Sequence, residues 1–235
     1  MRYAIYFTPP ADDPLTRLAA EWLGRDAFTN QILTQPAVEG FTAEAFKALT
    51  ADARRYGFHA TMKAPFALAD GRTEAELIAA LTNFSEGTPA FTLPELVVGQ
   101  IGRFFALIPG DWSAELQMLA EDCVSRFDSF RAPLSESDFA RRNPDQLTPE
   151  QRQNLVNWGY PYVFEDFRFH MTLTAQVDPA EQPAMRAAIQ SFFGDYVAAP
   201  RRIGHLALFV EPARGAPFIL KHLVQLPEPA IRKTA

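Results

Sequence analysis

Two short segments of this 235-residue chain carry the same histidine–spacer–threonine pattern. In residues 58–62 (FHATM) His59 precedes Thr61, and in residues 169–173 (FHMTL) His170 precedes Thr172. Both segments lie in apolar runs that favour β-strands, and side chains two apart in a strand point to the same face. Each segment is therefore predicted to present an imidazole and a hydroxyl side by side.

Two such pairs facing each other across a cleft would provide the groups for acid–base chemistry at a phosphoester. One imidazole would act as the base, the other as the acid, and the hydroxyls would donate to phosphoryl oxygens. Histidine suits both roles because its ordinary pKa of about 6.5 populates both protonation states near neutral pH. The other two histidines, His205 and His222, have no hydroxyl two residues later and are interpreted as structural.

Several side chains near the two motifs are further candidates for contact with a substrate. Lys63 follows Thr61 at strand spacing, and is predicted to bring a cation to the phosphate. Substrate contacts are also expected from Tyr56, Arg168, Tyr160 and Tyr162. No metal and no cofactor are expected, because the chain has no His-Glu-x-x-His segment, no cysteine pair and no glycine-rich phosphate loop.

The elements around the motifs follow one order in both halves of the chain. After the first motif come a predicted helix near 73–85 and β-prone runs at 91–98 and 103–109. After the second come a predicted helix near 179–194 and β-prone runs at 202–210 and 218–226. Strands joined by short turns favour antiparallel sheets with helices on one face. The predicted fold is α+β: one bilobal domain over 1–235, with two pseudo-symmetric antiparallel sheets and flanking helices around a central cleft.

Helix-capping signals give the predicted helices their starts. Asp13 with Pro14 opens one helix, which Gly24 ends, and Thr73 with Glu76 forms a capping box for another. Ser113 caps a third predicted helix, and Asp178 with Pro179 and Glu181 opens a fourth.

Residues 129–165 fit neither half and are predicted to form an insertion. Thr148 and Gln151 form a capping box for a short helix within it, and Gly159 ends that helix. Because the insertion immediately precedes the second motif, we expect it to border the cleft as a lid or specificity segment.

The composition, with 48% hydrophobic and 21% charged residues, is that of an ordinary globular protein. A net charge of −6 argues against a broad surface for duplex nucleic acid, and leaves a small phosphorylated metabolite as the expected partner. The first ten residues, MRYAIYFTPP, are too short for a signal peptide, and no apolar run is long enough to span a membrane. With a single cysteine, Cys123, predicted to be a buried structural thiol, a cytoplasmic protein is expected.

The extended contexts of the motifs, residues 56–66 (YGFHATMKAPF) and 158–174 (WGYPYVFEDFRFHMTLT), resemble the two-histidine (2H) phosphoesterase superfamily. They are most similar to its branch of phosphonate metabolism proteins encoded in phosphonate-utilisation operons. This resemblance implies a bilobal α+β fold, no metal requirement, and hydrolysis or transfer at a phosphodiester. It also implies that His59 and His170 are the acid–base pair, and that Thr61 and Thr172 bind the phosphate.

Three functions remain open on this basis. The first is a metal-independent phosphodiesterase that acts on a small cyclic phosphate or phosphorylated sugar intermediate in phosphonate catabolism. The second is an enzyme that opens 2′,3′-cyclic phosphates at RNA ends, which the acidic net charge disfavours. The third is a non-catalytic module that binds phosphorylated metabolites. The sequence does not assign acid and base between the two histidines.

Overall fold

A central antiparallel sheet organises the fold, shown by a computed structural model that describes residues 1–229. Seven strands form this sheet in the order β4-β5-β6-β2-β1-β8-β9, and β3 pairs with β7 in a separate two-stranded sheet. The strands are β1 (Arg2–Phe7), β2 (Ala60–Phe66), β3 (Phe91–Leu93), β4 (Leu96–Ile101), β5 (Phe104–Pro109), β6 (Met171–Thr172), β7 (Arg201–Ile203), β8 (His205–Glu211) and β9 (Ile219–Gln225).

Eight α-helices connect these strands within the described part of the chain. They are α1 (Pro14–Leu23), α2 (Ala43–Leu49), α3 (Ala51–Tyr56), α4 (Glu74–Glu86), α5 (Ala114–Arg126), α6 (Glu136–Ala140), α7 (Pro149–Trp158) and α8 (Gln182–Phe193). None of the helices in residues 1–229 has both the length and the apolar composition needed to cross a bilayer.

Most of the predicted helix starts are confirmed. Asp13 caps α1, and both capping boxes form, at Thr73 for α4 and at Thr148 for α7. The predicted start of α8 is wrong, because Asp178 accepts a hydrogen bond from the backbone of Ala180 in a preceding turn and the helix begins only at Gln182. Helices α2, α3 and α6 were not predicted.

The predicted internal repeat is present, and its halves exchange their hairpins. The first half runs β2-α4-β3-β4-β5, and the second runs β6-α8-β7-β8-β9. The hairpin β4–β5 of the first half pairs with β6 of the second, while β8–β9 joins the first half through β1. The small strands β3 and β7 of the two halves pair with each other.

The α+β class is confirmed, with antiparallel sheets flanked by helices. The two lobes were expected to carry separate sheets, but β2 and β6 join them through one residue pair, Ala60 with Met171. Both side chains are fully buried in a core to which α1, α4, α5 and α8 all contribute. Cys123, on α5, is buried in this core as predicted.

Candidate active site

The pairing of β2 with β6 brings the two histidine motifs together. Because Ala60 pairs with Met171 in an antiparallel register, continuing that register sets His59 opposite Thr172 and Thr61 opposite His170. Ala60 and Met171 point into the core, so alternation turns the four motif side chains to the other face. The result is a four-residue block with the histidines at diagonal corners; in paired antiparallel strands the Cα atoms of such positions are about 7–8 Å apart.

Each imidazole is held by a hydrogen bond of the same kind, between its Nδ1 and a backbone carbonyl. Nδ1 of His59 lies 2.9 Å from the carbonyl oxygen of Gly57, and Nδ1 of His170 lies 2.6 Å from that of Arg168. A carbonyl only accepts, so in each neutral ring Nδ1 carries the proton and Nε2 is the acceptor. Nε2 of His59 lies 3.2 Å from Oγ1 of Thr61, whose hydroxyl can donate to it.

Gly57 fixes the position of His59 through its backbone. Its φ of +80° lies in the left-handed region, and a Cβ there would come within 2.5 Å of the Cβ of Ala27. The residue also ends α3, so the chain turns sharply before the motif. His59 therefore lies just before the first residue of β2, and His170 likewise lies just before the first residue of β6.

Both histidines favour their neutral form in the folded protein. Burial lowers the pKa of His59 to about 4; the nearby His170 adds to this effect, and the hydrogen bond to Gly57 opposes it. Burial also lowers the pKa of His170 below its ordinary value, against the hydrogen bond to Arg168. At neutral pH both Nε2 atoms are therefore available as proton acceptors.

Aromatic rings surround the two imidazoles. The ring of Tyr6 stacks on that of His59 with 3.7 Å between centroids, and the ring centroid of Tyr56 lies 6.1 Å from that of His59. Phe104 lies 5.7 Å from His170. Tyr6 and Phe104 were not predicted, because only strand pairing identifies them: Tyr6 is opposite Thr61 across β1 and β2.

A cavity of about 440 Å³ opens beside this block. Thr61 and His170 line it together with three of the side chains predicted to contact substrate: Arg168, Tyr160 and Tyr162. The insertion at residues 129–165 thus forms part of the cavity wall, through both tyrosines and Gln151.

Lys63 does not reach this cavity, and its predicted place beside the phosphate is wrong. Its Nζ lies 2.9 Å from the carbonyl oxygen of Val124 and 3.1 Å from a carboxylate oxygen of Asp128, and the residue is 3% exposed. The reason is an irregularity in β2: Ile5 and Tyr6 are adjacent in β1, but their partners Lys63 and Thr61 are two residues apart. This bulge turns Lys63 to the helix-covered face.

The remaining histidines lie outside the block. His205 begins β8, and Nε2 of His222 lies 3.4 Å from the hydroxyl oxygen of Thr82 on α4. Within residues 1–229, no three histidine, cysteine, aspartate or glutamate side chains are grouped closely enough to hold a metal ion.

Comparison with known proteins gives relatives in sequence and in structure. Two curated relatives carry the name "Ribose 1,5-bisphosphate phosphokinase PhnN". The protein from Janthinobacterium sp. (strain Marseille) is 40% identical over 93% of this chain and 49% of its own length, and that from Laribacter hongkongensis (strain HLHK9) is 37% identical over 96% and 52%. The chain thus spans about half the length of these relatives.

Solved structures with a similar fold include LigT of E. coli bound to NADP+, with a TM-score of 0.48, 16% identity, and coverage of 97% of this chain and 98% of LigT. Another is described as a phosphoesterase, with a TM-score of 0.42, 15% identity, and coverage of 97% and 99%. Both likenesses concern the fold alone.

One family model matches most of the chain. It is described as "Protein of unknown function (DUF1045)", and the match covers residues 61–219, from the first motif threonine to the last strand. The chain belongs to the DUF1045 family.

Proposed function

We propose that this protein is a metal-independent phosphodiesterase that acts on a small cyclic phosphate or phosphorylated sugar. The observation that carries this proposal is the four-residue block, which has two imidazoles and two hydroxyls on one sheet face. Two of its members, Thr61 and His170, line the adjacent cavity. Acid–base chemistry at phosphorus needs two proton-transfer groups and donors for the phosphoryl oxygens, and the block provides all of them.

In the proposed reaction His59 is the base and His170 the acid. His59 has the more strongly lowered pKa, so it stays neutral and takes a proton from water at Nε2. The water oxygen forms a bond to phosphorus, and the bond from phosphorus to the leaving oxygen breaks. His170, protonated when the phosphate anion binds beside it, gives its proton to that leaving oxygen. The product of a cyclic substrate is a ring-opened monoester.

The surroundings of the block support a small, anionic substrate. Thr61 and Thr172 would donate to the non-bridging oxygens, and exposed Arg168 lies in the cavity wall where it can attract an anion. The cavity volume of about 440 Å³ suits a sugar phosphate or a nucleotide. Tyr56, Tyr160 and Tyr162 would contact the rest of the substrate.

A phosphorylated pentose is the substrate class that we favour. Two relatives that match this chain over half their length are named for ribose 1,5-bisphosphate, and from this name we take only the chemical class of ligand. The resemblance to phosphonate-operon proteins supports a role for the proposed reaction in phosphonate catabolism. A net charge of −6 disfavours RNA as the substrate.

The test is turnover in excess chelator. Pentose and nucleoside cyclic phosphates are incubated with the purified protein, and ring-opened monoester is measured by phosphorus NMR. We expect His59→Ala and His170→Ala each to lower turnover by a factor on the order of 100 or more. Thr61→Val and Thr172→Val should lower it by about 10- to 100-fold, because each removes one hydrogen bond to a charged group, and the corresponding serine variants should retain most activity.

His205→Ala is the matched control, since it removes a histidine outside the block. Activity that disappears with chelator, or that survives the loss of both motif histidines, contradicts the proposal. Tight binding without turnover across the panel supports the binding module instead, and a preference for oligonucleotide ends supports the RNA-end enzyme.

A further inference from the structure

A second cavity, of about 180 Å³, lies beside the candidate site and is lined by charged groups. Five arginines and two carboxylates contribute to its wall: Arg2, Arg131, Arg141, Arg142, Arg214, Asp138 and Glu211. We call it the arginine cavity. Such a concentration of arginine is unexpected in a chain with a net charge of −6.

The carboxylates at this cavity do not neutralise its cations, because each is shared. Asp138 binds both Arg141 and Arg214, and Glu211 binds both Arg2 and Arg55. A third carboxylate just behind the wall, Asp128, is likewise shared between Arg131 and Lys63. Each group of three therefore keeps one positive charge. Hydrogen bonds from Arg214 hold the pKa of Asp138 at about 2. Against the effect of burial, hydrogen bonds from their cationic partners also lower the pKa values of Glu211 and Asp128. The three carboxylates are therefore ionised, and one positive charge remains in each group.

Arg142 adds a further positive charge and connects the arginine cavity to the candidate site. Within residues 1–229 no carboxylate lies in ion-pair distance of this half-buried side chain. Its guanidinium instead lies over the ring of Tyr160, 4.9 Å from the centroid. Tyr160 lines the cavity beside Thr61 and His170, so its ring separates the two cavities.

The two cavities are a short distance apart along the same strand. Thr61 lines the cavity of the candidate active site, and Ala64, three residues farther along β2, lines the arginine cavity. At the rise of a β-strand this is a separation of about 10 Å. Arg2 and Tyr6 repeat the arrangement on β1: Tyr6 stacks on His59, and Arg2 lines the arginine cavity.

We propose that the arginine cavity binds a second phosphoryl group of the substrate, so that the enzyme prefers a small molecule with an anionic group at each end. The proposal rests on the proposed function for the identity of the reacting end. Arginine is suited to this role because its planar guanidinium donates two parallel hydrogen bonds to phosphate oxygens. A pentose cyclic phosphate with a further phosphate on its 5-hydroxyl has this chemistry.

The experiment compares two substrates, a pentose cyclic phosphate with and without the 5-phosphate. In Arg142→Gln, the ratio of kcat/KM for the phosphorylated over the unphosphorylated substrate should fall by about 10- to 100-fold, the effect of losing one charge-assisted hydrogen bond. Arg72→Gln is the matched control, because Arg72 also lies over an aromatic ring, that of Phe130 at 5.0 Å, but lines neither cavity. Arg214→Gln is a second test variant, and a thermal melt verifies that each variant is folded.

Binding of ribose 1,5-bisphosphate, measured by calorimetry, decides the inference independently of turnover. Affinity that falls at least tenfold in Arg142→Gln but not in Arg72→Gln supports the second phosphate site, even if neither cyclic phosphate is hydrolysed; in that case only the proposed hydrolysis is contradicted. An unchanged affinity and an unchanged substrate ratio in both Arg142→Gln and Arg214→Gln overturn the inference, whether or not hydrolysis is found.

Discussion

The two motif histidines share one hydrogen-bond arrangement but differ in surroundings. Each Nδ1 donates to the carbonyl two residues earlier in the chain. His59 lies under the ring of Tyr6, whereas His170 lies beside Phe104 at a greater distance. The closer ring removes more water from His59, in accordance with its more strongly lowered pKa. In the proposed reaction, this difference assigns the base to His59 and the acid to His170.

The lowered pKa of His59 makes stability depend on pH in a defined direction. Its pKa is about 4 in the folded protein and about 6.5 when unfolded, so the unfolded chain binds more protons between these values. Wild-type stability should therefore decrease as pH falls from 6.5 towards 4. The glutamine in His59→Gln cannot titrate. As pH falls over that range, the unfolding free energy of the wild type should therefore decrease more than that of the variant.

Urea unfolding at pH 7, 6, 5 and 4.5 measures this effect. His222→Gln, which changes a histidine outside the block, corrects for the general effect of losing an imidazole. If the unfolding free energies of wild type and His59→Gln change in parallel with pH throughout the range, His59 titrates normally in the folded protein and the prediction is wrong.

At the scale of single elements, the bulge in β2 decides which side chains reach the site. Strict alternation from His59 would bring Thr61 and Lys63 to the same face, and the structure retains only Thr61 there. Lys63 instead bonds to Val124 on α5 and to Asp128 just beyond it. A side chain suggested as a phosphate ligand is thus part of the contact between helix and sheet.

Lys63→Met separates these two roles. Methionine keeps most of the side-chain volume but leaves the Val124 carbonyl without its donor, so we expect a loss of about 1–3 kcal/mol in unfolding free energy. Turnover of a cyclic phosphate without a second phosphate should stay within about twofold of wild type, because Lys63 does not line the cavity. Activity and denaturant unfolding are measured on the same preparations.

Lys221→Met is the control for this substitution. Its ammonium pairs with Glu74 at 2.8 Å on the surface, and such exposed pairs contribute only about 0–1 kcal/mol. A Lys63→Met protein of normal stability that loses activity by 100-fold would restore the phosphate-binding role.

Local patterns predicted the features of the site and of the fold that depend on residues close in sequence. Such features are the threonine two residues after each motif histidine, the capping boxes at Thr73 and Thr148, and the buried Cys123; the structure contains them. Tyr6 could not be found in this way, because its contact with His59 depends on a strand that precedes the motif by more than fifty residues. The bulge at Lys63 also depends on pairing with β1 and leaves no signal in β2 itself.

At the scale of the whole molecule, the exchange of hairpins makes each half depend on the other. The hairpin β4–β5 lies beside the second motif strand, and β8–β9 reaches the first motif strand through β1. The arrangement was not predictable from the repeat, because a hairpin beside its own motif strand has the same order of elements. It also explains why β6 can be two residues long: β5 and β2 flank it on both sides.

We therefore expect the chain to unfold in one cooperative transition. Unfolding followed by tryptophan fluorescence, which reports on buried Trp22 and on more exposed tryptophans elsewhere, should coincide with unfolding followed by far-UV circular dichroism. Cutting the chain between β5 and α5 provides the sharper test. The first fragment then keeps only β1–β2 and β4–β5 as strand pairs, and the second keeps only β8–β9.

Isolated two-stranded units are at best marginally stable in water, so neither fragment should fold alone, and equimolar mixing should restore the circular dichroism and the single transition. The physical reason is that β6 has no strand partner in its own fragment, and that β3 and β7 pair only across the cut. Amide NMR spectra of each fragment decide the matter. A well-dispersed spectrum from either fragment by itself would mean that one half holds a core of its own, and that the exchanged hairpins join two units which are already stable.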